Sequence, residues 1–81
     1  MDKDLAREII RTAYCSGNEL GALISMLKAR CNAEDYKYFA RQVAMAIDGI
    51  HGALVDTVVS RYPVLEAEMQ ANLARTGQVM P

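Results

Sequence analysis

The chain has 81 residues, with nine basic and ten acidic side chains and a formal net charge of −1. This length fits one small domain, and the interspersed, nearly balanced charges argue against DNA, RNA or an anionic membrane as the default partner. No basic segment followed by an apolar run opens the chain. No stretch approaches the ~18 uninterrupted apolar residues of a membrane span, so we expect a cytoplasmic protein with no membrane partner. Abundant helix formers predict an all-α domain, in a size and composition typical of small bacterial cytosolic proteins.

The first two predicted helices span about residues 2–16 and 19–30. Each carries an apolar stripe at helical spacing: Leu5, Ile9 and Ala13 in the first, and Leu20, Leu23, Ile24 and Leu27 in the second. Gly17 is typical of a helix C-terminus and Asn18 of a helix N-cap. The pattern therefore predicts a tight turn at these two residues and an antiparallel helical hairpin.

A much longer helix is predicted over residues 33–61, about 43 Å at 1.5 Å per residue. Asn32 and Asp35 resemble a capping box at its start, and Pro63 forces its end because Tyr62 is pushed out of helical geometry. Its apolar stripe consists of Tyr36, Ala40, Val43, Ile47, Ile50, Leu54 and Val58.

Two glycines interrupt this long helix, and each costs about 1 kcal/mol relative to alanine. Gly49 shares a small-residue edge with Ala46 and Ala53, which predicts close packing of another helix. Gly52 lies toward the back of the helix, which indicates a kink or a contact with a second chain. Both a continuous or gently kinked helix and a break between Asp48 and Gly52 remain open.

A short fourth helix is predicted over residues 64–75, with Leu65, Met69 and Leu73 as its apolar stripe. Pro63 begins it and Gly77 ends it, as expected from the preferences of these residues for helix termini. Residues 76–81 are predicted to be a flexible tail. The fold expected from the sequence is therefore a small four-helix domain.

The long helix is apolar over more than half its circumference after Gly52, which a short fourth helix cannot cover. A large exposed apolar patch usually marks an interaction surface, so we expect a homodimeric bundle with two-fold symmetry. The function predicted is that of an adaptor, regulator or inhibitor acting on an unidentified protein partner. The predicted interface consists of Gly49, Gly52, Val55, Val59, Tyr62, Met69 and Leu73. The competing interpretation is a compact monomer whose long helix is broken at the glycines.

The chain contains two cysteines and one histidine, too few for a four-ligand zinc site, and we predict neither metal nor cofactor. Cys15 and Cys31 lie at the ends of the first and second predicted helices, about 18 Å apart, whereas bridged cysteines need Cα atoms within about 7 Å. We therefore expect two semi-buried thiols.

His51 and Asp48 are three residues apart on a helix, so the carboxylate could orient the imidazole for acid–base catalysis. No nucleophile elbow, phosphate loop or metal spacing accompanies them. A half-buried structural histidine is the preferred interpretation, and no catalytic residue is predicted. An enzymatic or ligand pocket near His51 stays as a third hypothesis.

The single cluster of aromatic and basic residues is Tyr36 to Arg41. Lys37, Tyr38 and Arg41 could bind phosphates and stack on bases in a helix-turn-helix-like arrangement, the alternative function. The acidic neighbours Glu34 and Asp35 disfavour that reading, because phosphate contacts dominate nucleic-acid affinity. Tyr36 and Phe39 are instead predicted to anchor the core against the first helix.

Overall fold

A computed structural model describes residues 1–80 and contains three helices, with no strand in that range. We label them α1 (Lys3–Arg30), α2 (Ala33–Arg61) and α3 (Val64–Thr76). The predicted all-α class is confirmed. The predicted count of four helices is wrong, because the first two are a single helix.

α1 is continuous through Gly17 and Asn18, so the predicted tight turn and the hairpin between residues 2–16 and 19–30 are wrong. The helix begins at Asp2, whose side chain accepts a hydrogen bond from the backbone N–H of Leu5 at 2.7 Å. A Cβ on Gly17 would lie 3.9 Å from Cγ2 of Ile47 in α2. Gly17 thus faces α2 from within α1, and pairing with α2 outweighs its helix cost of about 1 kcal/mol.

α1 and α2 form the antiparallel hairpin of this fold, joined at Cys31 and Asn32. Asn32 caps α2 through its side-chain oxygen, which accepts a hydrogen bond from the N–H of Asp35 at 2.8 Å. The helices pair along their length: Gly17 lies against Ile47, and the rings of Tyr14 and His51 are 4.7 Å apart. Residue numbers therefore decrease along α2 in the direction in which they increase along α1.

α2 is α-helical over Ala33–Ile50, π-helical over His51–Val55 and α-helical again over Asp56–Arg61. The chain thus stays helical through Gly49 and Gly52. A π turn adds one residue, so the core position after Ile50 is Val55 rather than Leu54. Val55 is 4% exposed and Leu54 is 42% exposed. The predicted place of Leu54 on the buried stripe is therefore wrong.

α3 follows Pro63 and ends at Gly77, which adopts a left-handed φ of 76°. Arg7 of α1 binds Glu68 of α3 through two hydrogen bonds, from Nε to Oε1 at 2.7 Å and from Nη2 to Oε2 at 3.2 Å. The hydrogen bond to Glu68 raises the pKa of Arg7, and this charged pair holds α3 on the hairpin.

The tail after α3, for which the sequence predicts flexibility over residues 76–81, packs against the rest of the chain as far as Met80. Val79 and Met80 are buried, and Asn72 Nδ2 donates a hydrogen bond to the Val79 carbonyl at 2.9 Å. Pro81 of the predicted tail lies outside the described residues.

All buried residues within positions 1–80 lie at one end of the molecule. We call this end the base (residues 1–15 and 48–80) and the rest of the hairpin the arm (residues 16–30 and 33–47). The core of the base consists of Ala6, Ile10, Ala13, Val55, Val58, Leu65, Met69, Val79 and Met80. The arm contains no buried residue. The two helices of the arm therefore pack against each other, and no third helix packs on them.

Candidate interaction surface

The predicted interface residues do not all reach the surface. Val55 and Met69 are 4% and 8% exposed and belong to the core of the chain. Val59 and Tyr62 are partly buried against that core, and the Tyr62 hydroxyl donates a hydrogen bond to the Met1 carbonyl at 2.5 Å. Leu73 remains exposed. α1 and α3 thus cover most of the apolar arc that the sequence assigns to a partner.

Gly49 and Gly52 are exposed, and a Cβ added to either would meet nothing within 4 Å. The interpretation of Gly49 as a close-packing position is therefore wrong within one chain, because the small-residue edge of α2 faces away from α1.

His51 is partly buried, as predicted, and its ring packs edge-on against Tyr14. Within residues 1–80, no hydrogen bond joins the side chains of Asp48 and His51; the Asp48 backbone carbonyl accepts from the His51 N–H instead. Burial, and then the charge of Asp56, raises the pKa of Tyr14 above its ordinary 10.0. The contact between the rings of Tyr14 and His51 packs α1 against the start of the π segment.

A cavity of about 440 Å³ opens beside Tyr14, between α1, α3 and the tail. Its lining includes Cys15, Leu73 and Met80, but not His51. The cavity therefore differs from the ligand pocket that the sequence places near His51. Cys15 and Cys31 are free thiols separated by sixteen positions along α1, or about 24 Å.

The aromatic and basic residues of α2 lie near the tip of the arm. Lys37, Tyr38 and Arg41 are exposed, and the rings of Tyr38 and Phe39 meet edge-to-face at 5.2 Å. Phe39 is 48% exposed, so its predicted role as a core anchor is wrong, whereas Tyr36 is half-buried. α1 and α2 run antiparallel here, unlike the helices of a DNA-binding helix-turn-helix, which cross at about 90–120°.

Four large apolar side chains occupy one face of the hairpin, which we call the open face: Leu5, Leu23, Phe39 and Leu54. Leu5 and Leu54 line the same shallow groove of about 230 Å³, so they share a face. Leu23 lies five full turns after Leu5 and points the same way, at about 3.6 residues per turn. Phe39 aligns with Leu54 to within about 40° once the π turn is counted.

α3 lies on the opposite face of the hairpin. Arg7, which holds α3 through Glu68, is two residues and so about 200° from Leu5 around α1. The open face is therefore not covered by any described part of the chain. Its four side chains are 53%, 39%, 48% and 42% exposed, in chain order. The sequence does not reveal this surface, because Gly17 and Asn18 predict a break in α1 and regular helical spacing predicts that Leu54 is buried.

α2 is long and apolar enough, on length and composition, to cross a membrane, whereas the sequence was expected to contain no such segment. Asp48 and His51 lie in its central part, where ionisable groups are costly in a bilayer. Among residues 1–80, no group of three or more histidine, cysteine or acidic side chains is placed to hold a metal ion.

Comparisons with protein-family models, curated proteins and solved structures find no match to this chain. Its function must therefore be argued from its own residues.

Proposed function

We propose that this protein acts through protein–protein interaction, as an adaptor, regulator or inhibitor, and that the open face is its contact surface. One observation carries the proposal: four large apolar side chains, each 39–53% exposed, line a single face of a hairpin whose arm has no buried residue. Exposed apolar side chains grouped on one face are typical of interaction sites on small soluble proteins.

Covering this face contributes favourably to the free energy of binding. Full burial of a leucine or phenylalanine side chain contributes about 1.5–3 kcal/mol. Because the four side chains are already about half-buried, covering the rest contributes about 1 kcal/mol each, before the cost of association. Neighbouring half-buried apolar residues such as Ile9 add to this total. The surface thus fits a partner that supplies a matching apolar face.

The proposal gives His51 a structural role. Its ring packs on Tyr14, and it does not line the larger cavity. General acid–base catalysis needs an imidazole within hydrogen-bond reach of a substrate proton, in a site that holds the substrate.

The experiment is photo-crosslinking in cells that express the full chain with a photoreactive amino acid at Leu23. The matched control carries it at Ser25, also exposed but about 200° away around α1. We expect discrete adducts from position 23 and not from position 25. Equal labelling at both positions, or no adduct at either, would refute the proposed contact surface.

Nucleic-acid binding is the second candidate, favoured by the exposure of Lys37, Tyr38 and Arg41 together. A Lys37→Glu, Arg41→Glu double variant would abolish such binding, since it reverses both phosphate contacts. The same variant leaves the open face intact, so the adducts at position 23 should persist.

A further inference from the structure

We infer that a second copy of this chain covers the arm part of the open face, packed antiparallel so that the two arms form a four-helix bundle. The inference rests on the proposed function, because it takes the open face to be a protein contact surface. It adds the identity of the partner and the orientation of the contact.

The arm has the form of half a bundle. In the base, α3 provides a second layer over the hairpin and side chains are buried; in the arm, the two helices pair and nothing is buried. A four-helix bundle buries its core between two such helical pairs. A second pair of antiparallel helices of equal length with an apolar face would complete the arm as such a bundle, and the arm itself is an element of this kind.

The charges along the arm favour a second copy in one orientation. Glu19 and Arg30 of α1 are exposed and symmetric about the midpoint between Leu23 and Met26. All four lie on one flank of the helix, within about 60° of Leu23. An antiparallel copy with its two-fold axis at this midpoint places Glu19 beside Arg30 of the partner subunit, twice. A parallel copy, related by a two-fold axis along the helices, would instead place α1 opposite α2 of the partner subunit, so these two charge pairs would not form.

Phe39 lies at the same level as this axis. Gly17 is opposite Ile47, so a step of eight residues along the antiparallel pair brings Phe39 opposite residue 25. The two-fold operation then brings Phe39 close to its own symmetry mate, beside Leu23 and Met26. Leu23, Met26 and Phe39 thus meet at the centre of the interface, with the opposite charges at its edges.

The area that the contact between the two arms would bury predicts a reversible dimer. Fifteen residues of helix are about 22 Å long, and two helices side by side are about 20 Å wide. The contact therefore buries about 1,000 Å² in total, just below the ~1,200 Å² at which stable specific interfaces begin. The net charge of −1 per chain sets up little repulsion between copies. We expect monomer and dimer to be in reversible equilibrium.

The test is analytical ultracentrifugation of the purified full chain over a wide concentration range, with Glu19→Arg, Arg30→Glu and the double variant. Each single change should weaken the dimer about tenfold, because it creates two like-charge contacts, and the double variant should restore it. Both residues are exposed, so neither change removes a buried contact. Lys28→Glu is the control, since Lys28 is exposed on another flank of α1 and should leave the dimer unchanged.

A wild type that stays monomeric, or single variants that the double variant does not rescue, would overturn the inference. If the wild type is monomeric while position 23 still crosslinks to a different protein, the inference fails and the proposed function stands. If the chain neither dimerises nor crosslinks at position 23, both fail.

Discussion

The π-helical turn in α2 makes a prediction that separates two neighbouring residues. Regular helical spacing places Leu54 in the core after Ile50, whereas the π segment His51–Val55 places Val55 there, at 4% exposure against 42% for Leu54. Truncation of each side chain to alanine should therefore have different costs. Val55→Ala removes two methyl groups from a closed core and should cost about 2 kcal/mol of unfolding free energy. Leu54→Ala removes a larger side chain, yet should cost about 1 kcal/mol or less.

The assay is thermal and urea unfolding of both variants beside the wild type, at low protein concentration so that monomer dominates. A loss of 2 kcal/mol corresponds to a fall in Tm of about 10 °C for a domain of this size. The reasoning is refuted if Leu54→Ala is the more destabilising variant. That outcome would mean that the helix keeps its regular repeat through His51 and that Leu54, not Val55, packs against α1.

Two further predictions concern the base and the helix glycines. Gly49→Ala should stabilise the fold by about 0.5–1 kcal/mol in urea unfolding, because an added Cβ meets nothing within 4 Å and alanine favours the helix. Gly77→Ala is its control and should destabilise, since Gly77 has a φ of 76°; a loss on Gly49→Ala would show that a close contact exists there. Tyr14 has a pKa raised above 10.0 in the folded chain, so the unfolded chain loses this proton first and stability should fall as pH rises beyond about 10. Tyr14→Phe should lack that part of the decline in urea midpoints measured from pH 8 to 11, and an unchanged decline would contradict it.

The parts of this fold that depend on local chemistry can be read from the sequence. Asn32 caps α2, Pro63 separates α2 from α3, and Gly77 ends α3 in the left-handed conformation. Each residue acts on the backbone within a turn of itself, so its effect does not depend on the rest of the fold. These signals predict a long helix followed by a short one.

The sequence fails where tertiary contacts outweigh local preference. Gly17 and Asn18 are typical of a helix end, but pairing with α2 keeps them helical. The sequence does contain a signal for one continuous helix, which is the angular position of its small and apolar residues. On a single unbroken helix, one side carries Ala6, Ala13, Gly17, Ile24 and Cys31. The π turn had no comparable signal, since Leu54 and Val55 are both apolar and either could follow Ile50.

The same two errors explain why the sequence predicts the exposed apolar surface at the wrong place. If α1 is divided, its two halves can cover each other's apolar stripes. The uncovered apolar surface is then predicted on the C-terminal half of α2. Because α1 is one continuous helix, α1 and α3 cover the C-terminal half of α2, and the uncovered apolar surface lies on the arm instead. Because α3 occupies one face of the base, only the opposite face stays open along the whole hairpin.

This division makes folding and association experimentally separable. The base holds all the buried side chains, so substitutions there lower the unfolding free energy at every protein concentration. The arm gains its second layer only from a partner, so arm substitutions such as Leu23→Ser should lower it mainly where the dimer is populated. A concentration-dependent Tm in the wild type that disappears in the arm variant, but survives Val55→Ala, would locate the partner on the arm rather than at the C-terminal half of α2.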